Sequence, residues 1–230
     1  MTNAPFPVMM FAAGLGTRMR PLTDQMPKPM IKVVGKPLVD HALDLARDAG
    51  CGPVVANLHY LPDALEAHLA PLGVTTVIER PDILETGGGL RNALPVLGRG
   101  PVVTLNTDAV WKGPNPVSLL MEGWNPDKMD ALLMCVPPTH AIGHLGKGDF
   151  IIEPSGRLTR GTGAIYCGVQ IIKTELLETI NEPAFSLNVI WDQMLLTRRL
   201  FGLCYPGKWC DVGRPEGIAR AEALLKDCHV

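Results

Sequence analysis

The segment Pro7-Val8-Met9-Met10-Phe11-Ala12 runs directly into Ala13-Gly14-Leu15-Gly16-Thr17-Arg18-Met19-Arg20-Pro21-Leu22-Thr23, and this junction constrains the fold more than any other stretch of the chain. A continuously apolar run with no polar face suits a strand buried on both sides, the habit of parallel sheets covered by helices. A glycine turn directly behind such a strand can aim several backbone N–H groups at one place. Gly14 and Gly16 let those groups approach an anion with no Cβ in the way, and Thr17 adds a hydroxyl. Arg18, and Lys28 within Pro27-Lys28-Pro29, add positive charge. The plainer alternative is a tight turn carrying solvated basic residues. The recurrence of glycines, two cations and prolines behind a buried strand favours the anion cradle.

The rest of the chain repeats the strand-then-helix rhythm, which predicts βαβ units and a mainly parallel sheet covered on both faces. Helix Pro37–Ala49 has Pro at its first turn, Leu38, Ala42, Leu45 and Ala46 on one face, and Gly50 as its stop. Strands are expected at Pro53–Leu58, Val74–Ile78, Pro101–Leu105, Asp130–Val136 and Ala164–Ile172. Helices are expected at Asp63–Leu69, Gly88–Leu97, Thr174–Ile180, Asn188–Leu200 and Pro215–Leu225. Between them, Pro137–Gly163 is rich in Gly, Pro and polar residues and reads as a β excursion without a helix. Such an excursion can wall a pocket for a second substrate, because functional groups concentrate on loops held by a scaffold.

Composition narrows the partners. A chain of 230 residues with 47% hydrophobic positions can bury the core of one large α/β domain. The net charge of −2, with Lys and Arg scattered, offers no basic stripe for a nucleic-acid backbone. No apolar run approaches the ~20 residues that span a bilayer. The start Met1-Thr2-Asn3-Ala4-Pro5 lacks the charge of a signal peptide, so the cytoplasm is the expected setting and membranes are not expected partners. The six cysteines, Cys51, Cys135, Cys167, Cys204, Cys210 and Cys228, stand singly and read as reduced and structural. A zinc site or redox pair is the alternative, but the Cys204 to Cys210 spacing matches no common ligand pattern.

The block Ala12 to Pro29 resembles the signature of sugar-1-phosphate nucleotidyltransferases. Leu84-Glu85-Thr86-Gly87-Gly88-Gly89, Asn106-Thr107-Asp108, Gly148-Asp149-Phe150 and Trp209-Cys210-Asp211-Val212-Gly213 follow in that family's order across the chain. The E-T-G-G-G loop, the G-D-F segment and the short length are most similar to the N-acetylmuramate-1-phosphate uridylyltransferase branch. The resemblance implies a Rossmann-like, three-layer α/β fold with a mixed, mainly parallel sheet and a β-rich sugar-binding insertion. It implies one domain over 1–230, with a nucleotide-binding half at 1–136 and a half at 137–230 that binds the sugar and supplies the second metal ligand. The substrates would be a nucleoside triphosphate, UTP in this branch, and a sugar-1-phosphate. The cofactor would be Mg²⁺, and the state a monomer or small homo-oligomer.

Residue by residue, the resemblance gives Ala12, Ala13, Gly14, Gly16 and Thr17 to the nucleotide, and gives Arg18 and Lys28 to the triphosphate and the transferring phosphoryl group. Asp108 closes an apolar strand at the carboxyl end, where open α/β sheets bind ligands, and is the first candidate metal ligand. Because Mg²⁺ takes one or two carboxylates beside substrate phosphates, a second acid should come from elsewhere in the chain. Asp211, between Trp209 and Gly213, is the candidate, and the resemblance assigns it that contact. The plain readings are a turn-capping Asp108 and an Asp211 that merely precedes a helix. The loop from Glu79 to Gly89 opens a helix and can offer N–H groups to a base edge or phosphate. By resemblance Glu85, Thr86 and Gly87 read the nucleobase; an ordinary helix start is the alternative. Asn106, Gly148 and Asp149 carry over as sugar-binding residues, although Asp149 also suits a solvated turn.

The chain departs from the family at Thr107, where relatives commonly have Gly. It also departs at Glu153-Pro154, where the thymidylyl branch has Glu-Lys-Pro. Of His41, His59, His68, His140 and His144 only His140 and His144 stand four apart, and they lie in a Pro/Gly-rich region rather than on a helix, so no helical ligand pair is expected; Trp111, Trp124 and Trp191 read as packing. Glucose-1-phosphate thymidylyl- and mannose-1-phosphate guanylyltransferases are the neighbouring activities. A dinucleotide-binding oxidoreductase is a further class, but from Gly14 the sixth position is Met19 rather than Gly, and Lys28-Pro29 breaks the helix that should follow. A non-catalytic nucleotide-sugar sensor on the same fold is weighed down by the joint presence of Arg18, Lys28, Asp108 and Asp211.

Overall fold

The first apolar run forms strand β1 (Val8–Phe11) in the computed structural model, which describes residues 5–227. Val8 and Met10 sit in one buried cluster and Met9 in another on the opposite face. A central strand has no solvent face, so its sequence cannot alternate with polar residues. Each such fully buried side chain contributes about 1.5–3 kcal/mol. Met1–Ala4 and Cys228 lie outside the described residues.

Behind β1 come β2 (Lys32–Val33), β3 (Lys36–Pro37), α1 (Leu38–Asp48), β4 (Val54–Leu58), α2 (Pro62–Leu69) and β5 (Thr75–Ile78). Next are α3 (Glu85–Leu97), β6 (Val102–Asn106), β7 (Ala109–Lys112), α4 (Pro116–Gly123) and β8 (Ala131–Val136). The remainder adds β9 (Ala141–Ile142), β10 (Phe150–Ile152), β11 (Leu158–Arg160), β12 (Ile165–Ile172), α5 (Leu187–Leu196), β13 (Leu200–Cys204), β14 (Lys208–Asp211) and α6 (Pro215–Lys226).

Seven strands form one sheet in the order β13-β8-β12-β6-β1-β4-β5. β1 runs parallel to β4 and β6, β4 to β5, and β13 to β8, while β12 is antiparallel to both β6 and β8. The sheet is therefore mixed and mainly parallel, as expected. Val39 and Ala42 of α1, Leu65 of α2 and Val117 of α4 pack on one face; Leu90 of α3 and Ile190 and Met194 of α5 pack on the other. A second sheet, β7-β14-β9, is backed by Ala221 and Leu224 of α6, which share a third cluster with Met19, Val110, Cys210 and Val212. The excursion holds β9 and the antiparallel hairpin β10–β11, plus one turn of 3₁₀ helix at Pro138–His140. Among the described residues no helix is long and apolar enough to cross a membrane.

Several elements differ from the sequence reading. The expected helix Asn188–Leu200 stops at Leu196: Arg198 takes a left-handed φ of 54°, the chain turns, and Leu200–Cys204 becomes the edge strand β13. Thr174–Ile180 yields only a 3₁₀ segment, Glu175–Thr179. β7, α4, β13 and β14 were not anticipated. For α4 the signal was present, since Asn115 Oδ1 accepts from the N–H groups of Val117 (2.9 Å) and Ser118 (3.3 Å) while Pro116 opens the helix.

Candidate active site

The loops leaving the carboxyl ends of β1 and β6 meet over a cavity of about 400 Å³. Ala12, Ala13, Gly14, Gly16, Thr17, Arg18 and Lys28 line it from one side and Asn106, Thr107 and Asp108 from another. Gly16 adopts φ 63°, and a Cβ there would lie 3.0 Å from Thr23 Cγ2 and 3.1 Å from Lys28 Cβ, so the turn closes only around glycine. Thr23 Oγ1 donates to Gly16 O at 2.8 Å and fixes the loop from beneath. The N–H groups of residues 13–17 have no acceptor within the described protein and are available to an anion. Ala12 differs, because its N–H donates to Asn57 Oδ1 at 2.9 Å.

Two acids far apart in sequence come together here. Asp108 lies two residues beyond β6 and directly before β7, and β14 pairs antiparallel with β7 so that Asp211 stands opposite Ala109. The N–H of Val212 donates to Asp108 O at 2.8 Å and locks the two backbones. Lys28 Nζ lies 2.7 Å from Asp108 Oδ2. A Cβ on Gly213 would be 3.0 Å from each Asp211 carboxylate oxygen and 3.3 Å from an Arg18 guanidinium nitrogen, so Gly213 leaves room where these groups converge. Burial, then the neighbouring Asp108 charge, push the Asp211 carboxyl above its ordinary value; Lys28, Arg18 and His144 pull the other way. The corner thus holds two cations against two carboxyl groups, and burial beside Asp108 makes the charged form of Asp211 harder to hold. Hard oxygen donors in this arrangement suit a small divalent cation whose remaining ligands are phosphate and water. Among the described residues no third His, Cys, Asp or Glu completes a cluster that could hold a metal by itself. Thr107 is buried, and its hydroxyl donates to Phe11 O at 2.8 Å, tying the segment after β6 to the end of β1.

The opposite end of the cavity is built by Ile83, Glu85 and Thr86. Glu85 holds a left-handed φ of 58°, a conformation disfavoured for a residue with a side chain, at the mouth of α3. The glycines that follow serve packing. The N–H groups of Gly87 and Gly88 donate to Phe185 O at 2.8 and 3.1 Å, and Cβ atoms at Gly87, Gly88 and Gly89 would strike Phe185, Pro183 O and the Asn57–Glu79 pair. Gly87, expected at the nucleobase, therefore lies behind the wall with its donor already engaged. Sequence reasoning also missed what shapes this wall. Asn57 Nδ2 donates to Glu79 Oε1 at 2.7 Å, and Glu79 Oε2 accepts the Leu84 N–H at 2.7 Å, which links the glycine loop to the α3 loop through two buried side chains.

A second chamber of about 310 Å³ adjoins the first and shares Phe11, Thr86 and Asn106 with it. Its own lining includes Asp149, Arg160, Tyr166, Ser186 and Trp191. Asp149 Oδ2 accepts the Tyr166 N–H at 2.9 Å, which holds the carboxylate in the chamber wall. Gly148 does not line it; at φ 103° it packs on Gly163, where a Cβ would meet O at 2.4 Å. Trp191, read as packing, does that and more. It stands edge-on to Tyr166 with centroids 4.9 Å apart, donates to Gln170 Oε1 at 2.9 Å, and lines the chamber. Glu153 is elsewhere, paired with Arg198 at 3.1 Å.

Free backbone donors and cations at one end of a chamber, carboxylates beside them and a second chamber next door suit a site that brings two anionic substrates together. The chain belongs to the MobA-like NTP transferase domain family, which matches residues 8–183. It is 38% identical to an N-acetylmuramate alpha-1-phosphate uridylyltransferase of Caulobacter vibrioides over 99% of this chain and 100% of that protein. It is 32% identical to the Neisseria meningitidis protein of the same name, over 94% and 96% of the two chains. Among solved structures, a putative glucose-1-phosphate thymidylyltransferase from Bacillus anthracis superposes with a TM-score of 0.79 at 15% identity, covering 98% of this chain and 97% of that one. HddC from Yersinia pseudotuberculosis, complexed with GMP-PN, gives 0.75 at 21%, covering 96% and 100%. At such identities the likeness is one of fold.

Proposed function

We propose that this chain transfers the uridylyl group of UTP to N-acetylmuramate 1-phosphate with Mg²⁺, giving a nucleotide sugar and pyrophosphate. The observation that carries the reading is the pair of joined chambers, with the charged corner in the first and a polar and aromatic lining in the second. Two relatives named for this reaction support the choice of base and sugar. The setting is the cytoplasm, and the halves 1–136 and 137–230 act as one domain.

Residues 13–17 and Arg18 receive the triphosphate, with the base toward Glu85 and Thr86. The sugar occupies the second chamber, where the Asn106 amide can donate to or accept from its hydroxyls and the Asp149 carboxylate accepts from them. An oxygen of the sugar phosphate forms a bond to the α-phosphorus as the bond from that phosphorus to the bridging oxygen of the leaving pyrophosphate breaks. The attacking oxygen is already anionic near neutral pH, so no residue needs to remove a proton. The protein contributes alignment of two anions that would otherwise repel, and positive charge where charge moves onto the leaving group. Arg18 and Lys28 supply that charge. Asp108 and Asp211 would hold Mg²⁺, which when bound neutralises phosphate charge.

A panel of nucleoside triphosphates against sugar-1-phosphates, read by Mg²⁺-dependent pyrophosphate release, tests the reading. The highest kcat/KM is expected for UTP with N-acetylmuramate 1-phosphate. Preference for dTTP with glucose 1-phosphate or GTP with mannose 1-phosphate would move the chain to those activities, and no release with any pair would leave a binding protein.

A further inference from the structure

The second chamber contains one cation among its lining residues, and its geometry is unusual. Arg160, the last residue of β11, lays its guanidinium over Phe150 at 4.8 Å and toward Trp191 at 5.9 Å. One edge is fully engaged: Nε and Nη2 both donate to Asp192 Oδ1, at 3.1 and 2.7 Å, and Nη2 donates to Asn188 Oδ1 at 2.9 Å. Nη1 has no hydrogen-bond partner within the described protein. The group is thus clamped on one side with two donors left over, beside a chamber that it lines. Arg160 does not line the first chamber, whose cations are Arg18 and Lys28. A sugar phosphate must present its phosphate to that first chamber, across the shared rim of Phe11, Thr86 and Asn106. The free edge of Arg160 is therefore left for something other than the phosphate.

We propose that Arg160 reads a second anionic group on the sugar and sets the preference of this enzyme for an acid-bearing sugar-1-phosphate over its neutral counterpart. The inference rests on the second chamber being the sugar site. In N-acetylmuramate 1-phosphate the group read is the lactyl carboxylate, which N-acetylglucosamine 1-phosphate lacks. A planar guanidinium matches a carboxylate in shape as well as charge, and a fork already oriented by Asp192 and two aromatic faces loses little freedom on binding. The Arg160 side chain is 40% exposed, so the contact is screened by salt and its effect falls at the lower end for a charge-assisted hydrogen bond, about ten-fold in kcat/KM.

The test compares N-acetylmuramate 1-phosphate with its lactyl amide, which keeps the shape and removes the charge, at saturating UTP and Mg²⁺. Wild type should favour the acid by about ten-fold, and the preference should shrink as ionic strength rises. In R160Q the acid-to-amide ratio should fall to near one, and R160K should retain part of it. An R160Q protein that weakens acid and amide equally, or that keeps the wild-type ratio, overturns the proposal and leaves Arg160 as a tie between β11 and α5. A wild-type ratio near one overturns it without any variant. Glucuronate 1-phosphate separates this inference from the choice of sugar. If wild type rejects the muramate but uses the hexuronate, and R160Q loses that preference, Arg160 stands and the muramate reading falls; use of neutral sugar phosphates alone refutes the role of Arg160.

Discussion

Replacing Asn57 by Ala removes one of the two buried side chains through which the glycine loop is linked to the α3 loop. Its amide has only one workable orientation, because Ala12 N–H requires an acceptor at 2.9 Å while the Glu79 carboxylate requires a donor at 2.7 Å. Ala12 and Glu79 are 3% and 1% exposed, so after truncation neither finds ready compensation from solvent. An orphaned buried donor costs about 1–3 kcal/mol and a charged acceptor more, which places Asn57→Ala near 3 kcal/mol once a water partly fills the gap. At roughly 2–4 °C per kcal/mol for a domain of this size, Tm should fall by about 6–12 °C. The two loops frame the nucleotide chamber, so the KM for nucleoside triphosphate should rise more than that for sugar phosphate. Urea and thermal unfolding measure the first effect and initial rates the second. A stability loss below ~1 kcal/mol would refute the claim that this network holds the wall. Asn57→Asp adds a sign that can be read. It keeps the acceptor for Ala12 but sets a second carboxylate against Glu79, so one of the two must hold a proton with a raised pKa in the folded state. The folded protein then binds more protons than the unfolded chain, and the variant should gain stability relative to wild type as pH falls from 8 toward 5.

Asp108→Asn and Asp211→Asn keep side-chain shape and should each cut turnover by at least ~10² with unfolding little changed, as pyrophosphate release and urea titration will show. Near-wild-type turnover in either removes that residue from the centre. Arg18→Ala and Lys28→Ala should lower kcat by a larger factor than they raise the nucleotide KM, because their charge matters most as the α-phosphate rearranges; a pure KM effect demotes them to ground-state binding. Asp149→Ala should raise the sugar-phosphate KM by about one to two decades, the worth of a hydrogen bond to a charged acceptor, with nucleotide binding nearly unchanged. Asp149→Asn, which preserves an acceptor for Tyr166 N–H, should recover the chamber wall, and equal weakening of both substrates would mark Asp149 as structural.

What could be read from the sequence follows from what leaves a local trace. Val8–Phe11 and the glycine loop were legible because a twice-buried strand must be apolar and its exit must turn sharply. Asp108 was legible as a strand-end acid. The pairing of Asp211 with it came only through family likeness, since the β7–β14 ladder that joins them is a contact between distant segments with no local signature. Asn57 and Glu79 were passed over because a polar residue near the end of an apolar strand has no period to announce its role. The glycines of α3 were legible as glycines but not in their purpose. A helix opening suggests free donors, whereas Phe185 arrives from far along the chain and takes two of them. The expected helix takes in Leu200, the first residue of β13, because that residue continues its apolar character, and the left-handed turn at Arg198 separates helix from strand; Phe201–Cys204 carries too short a pattern to announce an edge strand.

The central claim is that one site couples two anionic substrates, and phosphorus NMR of a single reaction tests it most directly. With UTP, N-acetylmuramate 1-phosphate and Mg²⁺, one pyrophosphate should appear for each new phosphodiester-linked nucleotide sugar, and neither should form when either substrate or the metal is withheld. Pyrophosphate or UMP released from UTP alone, at a rate comparable to the complete mixture, would contradict the account.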